Sequence, residues 1–125
     1  MAKNNTQTSY AKGIYAETLA SLLLRVKGYR ILEQRYRTPC GEIDMIAKRG
    51  KWLCFIEVKA RPNNDAGLYA VQPKAQQRIM RSAEIYIAQN PGFDACNMRF
   101  DVITCVPGQL PQHHENMWQN DQNEL

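Results

Sequence analysis

Apolar and polar positions along the 125-residue chain change period several times, and each change marks an element. From Ser9 to Lys27 the residues Ala11, Tyr15, Leu19, Leu22, Leu23 and Val26 recur at helical spacing, with Ser9 as N-cap and Gly28 as the left-handed stop. The pattern predicts an amphipathic helix burying that stripe, preceded by a flexible, frayed arm over residues 1–8. Tyr29 to Thr38, with Ile31, Leu32 and Tyr36 among charges, predicts a half-exposed strand ended by Pro39-Cys40-Gly41. Glu42 to Lys48 and Trp52 to Ala60 are rich in Ile, Val, Phe and Trp and predict a hairpin closed at Arg49-Gly50. Arg61 to Gly67 is a polar loop. Pro73 suits the first turn of a second helix with the stripe Ile79, Met80, Ala83, Tyr86 and Ile87, stopped at Asn90-Pro91-Gly92. Asn97 to Val106 alternates as a fourth strand. A crossover helix precedes it, so it should lie parallel to the third strand through a right-handed connection.

The element order predicts an α/β fold, α-β-β-β-α-β, with a mixed sheet flanked by helices and one domain over residues 9–106. Residues 107–125, rich in Gln, Asn and Pro, read as a polar, acidic, mobile C-terminal tail. Within it His113-His114 is expected to be solvent-exposed and not metal-binding. Met117 and Trp118 either pack the tail back on the domain or serve a partner. An apolar fraction of 44% with 22% charged residues excludes disorder, collagen and coiled coil. No apolar run approaches the roughly 18–20 residues of a membrane span, and the polar N-terminus lacks a secretory signal, which predicts a cytoplasmic protein without a membrane role. Cys40, Cys54, Cys96 and Cys105 form no Cys-x-x-Cys pair, so reduced thiols are expected and not a zinc ribbon or disulfide framework. The net charge is +4, but residues 1–110 hold all 16 Lys and Arg against 9 Asp and Glu, a net of +7. That excess is consistent with a phosphate-backbone partner.

Asp44 in the middle of an Ile-Asp-Met-Ile strand, and Glu57 and Lys59 at the end of an apolar one, sit where strand patterning would not put charges. With Arg49-Gly50 as a two-residue turn, Lys48 opposes Lys51 and Asp44 opposes Phe55. Asp44, Glu57 and Lys59 then share one face, with the two acids as diagonal neighbours roughly 7–8 Å apart. Converging carboxylates repel unless one takes a proton or a divalent cation lies between them. Mg2+ (or Mn2+) suits two carboxylates completed by water and phosphate oxygens, and Lys59 is placed to act on an attacking water or on charge at phosphorus. Glu17 shares a helix face with Tyr10, Gly13, Ala20 and Leu24, either as a third carboxylate or as a solvated residue. Lys74, Gln77, Arg78 and Arg81 line one polar side of the second helix, suited to tracking phosphates or to facing solvent.

Gly41-Glu42-Ile43-Asp44-Met45-Ile46-Ala47, then Phe55-Ile56-Glu57-Val58-Lys59-Ala60-Arg61, Lys74 opening a helix and Arg99-Phe100-Asp101-Val102 together resemble the bacterial UPF0102 (YraN-like) family. That family is similar to archaeal Holliday-junction resolvases and to the PD-(D/E)XK nuclease superfamily. The resemblance runs from about Lys12 to Val106, with Ala16 where glycine is common and Ala60 where threonine is frequent. It implies a restriction-endonuclease-like (PD-(D/E)XK) core, metal carboxylates at Asp44 and Glu57, the lysine at Lys59 and a helix-one acid at Glu17. It also implies a metal-dependent endonuclease hydrolysing DNA, branched or structured DNA included, and no organic cofactor. Arg61 joins Lys74, Gln77, Arg78 and Arg81 as an expected nucleic-acid contact. The alternative is a non-catalytic nucleic-acid-binding module on the same fold. Edge strands and the resolvase-like resemblance allow a homodimer.

Overall fold

Three strands follow one another as an antiparallel meander: β1 (Arg30–Thr38), β2 (Gly41–Arg49) and β3 (Trp52–Ala60). The computed structural model describes residues 2–119, with side chains from Gly13 onward other than those of Ala66 and Tyr69. A long helix, α1 (Ala2–Val26), precedes the meander; a single turn, α2 (Ala66–Tyr69), and α3 (Pro73–Gln89) follow it. A 3-10 turn at Pro91–Phe93 then leads to β4 (Asn97–Cys105) and β5 (Gln112–Trp118). The sheet order is β1-β2-β3-β4-β5, with β3 and β4 parallel and the other pairs antiparallel. The core order α-β-β-β-α-β is the expected one, since α3 supplies the length a parallel crossover needs.

Strand alternation divides the interior into two layers. Leu53, Phe55, Phe100 and Val102 pack with Ile79, Ala83 and Tyr86 of α3. Cys54, Ile56, Ile103 and Cys105 pack with Ala16, Ala20 and Leu24 of α1. The buried stripe of α1 is therefore not the expected one: Tyr15, Leu22 and Val26 are exposed, and Leu19 and Leu23 are only half-buried. Alanines at positions 16 and 20 let the helix axis lie close to the sheet, which turns the larger residues toward the rim. Helix α1 also begins at Ala2, where a frayed arm was expected over residues 1–8; the side chains of residues 2–12, including Tyr10 and Ala11, lie outside those described.

The β1–β2 turn is bolted to α3. Ser82, fully buried in mid-helix, shares a 2.8 Å hydrogen bond with Thr38 Oγ1, which also accepts from the Cys40 and Gly41 N–H groups. Gly41 has φ +152, and a Cβ there would lie 3.3 Å from Arg78 Cβ, so the close approach of β2 to α3 needs a glycine.

The segment expected to be a mobile tail instead adds the fifth strand through residue 118; residues 120–125 lie outside those described. Polar composition misleads here because β5 is an edge strand whose exposed side chains face water, while Trp118 stacks on Phe100 at 5.4 Å and is 8% exposed. Trp118→Ala should cost about 3 kcal/mol in urea unfolding; a mobile tail would leave the midpoint unchanged.

Candidate functional site

The β2–β3 ladder runs from Arg49↔Trp52 to Met45↔Ile56, and one further step puts Asp44 opposite Glu57. The expected register is thus corrected. The turn is Gly50-Lys51, with Gly50 in the left-handed region at φ +59, and Phe55 pairs with Ile46 and not with Asp44. The difference amounts to an even number of residues, so side-chain parity is kept and the acids still meet, directly across the strands and not diagonally.

Regular pairing ends at this point. The Val58 N–H donates to Asp44 Oδ2 at 2.8 Å. Along β2 the alternation also breaks: Ile43 and Ile46 join the α3-side core, whereas Met45 and Ala47 join the α1-side core. Arg35, across β1 from Asp44, has φ +53, uncommon for a residue with a side chain. The strands splay here, and the Asp44 carboxylate enters the gap.

Electrostatics follow from that placement. Burial pushes the Glu57 carboxyl up to about 8, and the charge of Asp44 and a hydrogen bond to it add to the rise, while Lys59 opposes it. Asp44 is also raised by burial, against the Val58 N–H, the hydrogen bond from Glu57 and with the charge of Glu17 adding. Both shifts run the same way, so the two acids titrate as one coupled pair in which burial and mutual charge oppose a second ionisation.

Lys59 lines the same cavity as Glu57, a space of about 240 Å³ whose walls include Glu42, Gln72 and Arg78. Glu17 approaches from α1 but is held by Arg35 Nε at 2.8 Å, so it acts on Asp44 through its charge. Among the described residues no three His, Cys, Asp or Glu side chains converge as a ready metal-binding set. Lys74, Gln77, Arg78 and Arg81 are exposed on α3, as the spacing predicts. Arg61 lies apart from that helix: its guanidinium donates to the Leu68 and Ala60 carbonyls and braces the loop after β3. Gln72 was not singled out by sequence, although its place directly before Pro73 sets it at the mouth of α3, facing β3.

A second buried polar group lies on the α1 side. Asp101, fully buried, accepts from Arg99 Nε and Nη2 at 2.9 and 2.8 Å and from the Asn116 N–H at 2.9 Å. It also bonds His113 Nε2 at 2.7 Å, and Lys27 Nζ lies 2.6 Å from His113 Nδ1, so the imidazole proton sits on Nε2. The His113 side chain is 3% exposed, which corrects the expectation of a solvent-facing histidine: it forms the anchor of β5. Burial alone would raise Asp101, but its bonds to His113, Arg99 and Asn116 prevail and lower it. The signal was available in the sequence, since Asp101 interrupts an apolar strand just as Asp44 does.

Fold and site together define an α/β protein with a splayed strand pair carrying a proton-sharing carboxyl couple, a lysine beside it and a basic helix at its rim. The chain belongs to the UPF0102 family: the group described as "Uncharacterised protein family UPF0102" matches residues 16–105. A UPF0102 protein of Rhodopseudomonas palustris (strain HaA2) is 48% identical over 105 residues, covering 84% of this chain and 82% of the relative. A UPF0102 protein of Parvibaculum lavamentivorans is 44% identical over 110 residues, and one of Chelativorans sp. (strain BNC1) is 41% identical over 117, covering 94% of both chains. No helix among the described residues is long and apolar enough to cross a membrane.

Glu57 makes stability depend on pH with a definite sign. Its ordinary value is 4.5 and its folded value about 8, so between these the folded state holds more protons than the unfolded one. Stability is full at the acid end of that window and is lost as pH rises through it. Urea unfolding of the metal-free protein should lose roughly 2–5 kcal/mol from pH 5 to pH 8. Glu57→Gln should flatten this loss and exceed the parent's stability at pH 8.

Proposed function

We propose that this protein is a divalent-metal-dependent endonuclease that hydrolyses DNA phosphodiester bonds, with branched or otherwise structured DNA the form to test first. The carrying observation is the Asp44–Glu57 couple, two half-buried carboxyls that meet across neighbouring strands, with Lys59 lining the same cavity as Glu57. Such a donor set fits Mg2+ or Mn2+, which take one or two carboxylates and complete their shell with water and phosphate oxygens. Asp44 and Glu57 would hold the cation, whose chemistry is Lewis-acid polarisation of the phosphoryl group.

The chain's own groups supply the rest. The Val58 N–H fixes the Asp44 carboxylate, and Glu57 would have to be deprotonated to serve as a ligand to the cation. Lys59 offsets the negative charge that grows at phosphorus in the transition state. Arg78 at the cavity wall, with Lys74, Gln77 and Arg81 beyond it, carries the phosphate backbone past the site. Glu17, held by Arg35, tunes Asp44 from behind.

The purified protein should be titrated with Mg2+ and Mn2+ against linear duplex, single-stranded and four-way-junction DNA. Cleavage should require metal and fall at least about 100-fold in Asp44→Ala and Lys59→Met. Mn2+ should raise the melting temperature of the parent but not of Asp44→Ala. A Lys74→Ala and Arg81→Ala double variant should weaken duplex binding and reduce its salt slope by about two. Salt-dependent binding with neither cleavage nor metal stabilisation would leave the non-catalytic module; absence of binding as well would remove both.

A further inference from the structure

The end of β3 remote from Glu57 carries a feature that the carboxylate site does not use. Trp52, the first residue of β3, is 42% exposed, and the guanidinium of Arg99 lies 5.4 Å from its ring centroid. Arg99 is itself buried at 6% exposure and is bonded to Asp101, Tyr29 and Glu115. The stack continues inward, with Arg99 5.8 Å and Arg49 4.7 Å from the Tyr29 ring, and Arg49 Nη1 tied to the Lys27 carbonyl at 3.1 Å. Every guanidinium in this stack has a hydrogen-bond partner without Trp52. The indole therefore keeps much of its surface exposed while it lies against a buried, fully bonded side chain.

The surroundings select the ligand. Arg49 is the cross-strand partner of Trp52, Lys51 is exposed beside it, and Lys48 Nζ closes the turn onto the Gly50 carbonyl at 2.8 Å. Glu115 is engaged by Lys27 and Arg99. Cations around the ring disfavour an ammonium ligand and favour an anion that also offers a flat face. A rigid aromatic platform flanked by Lys and Arg is the arrangement on which unpaired bases stack while their phosphates meet the cations.

We infer that Trp52, with Arg49 and Lys51, binds an unpaired nucleotide of single-stranded nucleic acid. The inference rests on the nucleic-acid part of the proposed function and not on cleavage. Trp52 lies five residues from Glu57, about 17 Å along the strand, and on the α1 side of the sheet with Cys54 and Ile56. It therefore meets a different part of the ligand from the strand at the carboxylates. A substrate that touches both has unpaired bases next to a second segment, which narrows structured DNA to forms with a single-stranded portion.

The test is the intrinsic fluorescence of Trp52 in a Trp118→Phe background, titrated with a short oligodeoxythymidylate at low salt and compared with a blunt duplex. Quenching should saturate with the oligothymidylate and weaken as salt rises. In an anisotropy assay Trp52→Ala should lower oligothymidylate affinity about tenfold, the scale of one base–aromatic stack, while changing duplex affinity less than twofold. Unchanged oligothymidylate affinity in a folded Trp52→Ala protein would overturn the inference, as would equal quenching by an acidic peptide of matched charge, which would assign the surface to a protein partner. Cleavage that fails while Trp52-dependent binding persists would remove only the enzyme reading. Cleavage that persists with a silent Trp52→Ala would remove only this one.

Discussion

Two carboxyl groups that leave neighbouring strands at one half-buried point oppose each other's ionisation, and much of the structure around Asp44 is a response to that conflict. Both side chains are half-buried, so the energy of a second negative charge is only partly screened. The conflict is met by raised carboxyls, a hydrogen bond between the acids and the Val58 N–H on Asp44. None of these removes the burial that raised both groups. On the proposed reading, a divalent cation would take the place of a shared proton at this point.

Asp101 shows that burying an aspartate in this sheet does not require that tension. It too stands in a central strand, among apolar neighbours, two strands away from Asp44. Arg99, His113 and the Asn116 N–H surround it with donors, and its carboxyl is lowered where that of Asp44 is raised. The same residue type thus serves two ends. Where the donors are complete the carboxylate ties β5 and the end of α1 to the sheet; where they are incomplete it keeps capacity for a ligand. The complete network also steadies the incomplete one, because β4, held by Asp101, is the parallel partner of β3 along its whole length.

Much of this was legible in the sequence, and the failures have physical causes. Apolar periodicity placed β1 to β4 and α3 within a residue or two, because each buries a face and a slip would expose it. Asp44, Glu57 and Lys59 stood out as charges in apolar strands. The hairpin register was off, since Arg49-Gly50 and Gly50-Lys51 are both acceptable turns and only tertiary packing selects between them. Helix α1 misled because its buried face is built from Ala16 and Ala20, whose small size weakens the apolar signal just where packing is tightest. Strand β5 was missed because an edge strand with exposed Gln, His, Glu and Asn reads as a tail. The partners of Arg61 come from the loop fold itself, which no spacing reveals.

Net charge proved a poorer guide than the distribution of cations that the fold does not use. Lys27, Arg37, Arg49, Arg61 and Arg99 are engaged by carboxylates or carbonyls within the domain, and Arg35 by Glu17. Lys74, Arg78, Arg81 and Lys51 make no hydrogen bond or ion pair among the described residues, and they lie along α3 and at the β2–β3 turn. Those are the two ends of the β2–β3 pair, one beside the carboxyl couple and one beside Trp52. An extended polyanion is the kind of ligand for which such a separation is an advantage, since its charge is spread over distances comparable with the domain. On the proposed reading, the chain holds one cutting site and approaches its substrate from one side of it, so severing both strands of a duplex requires two chains or two encounters.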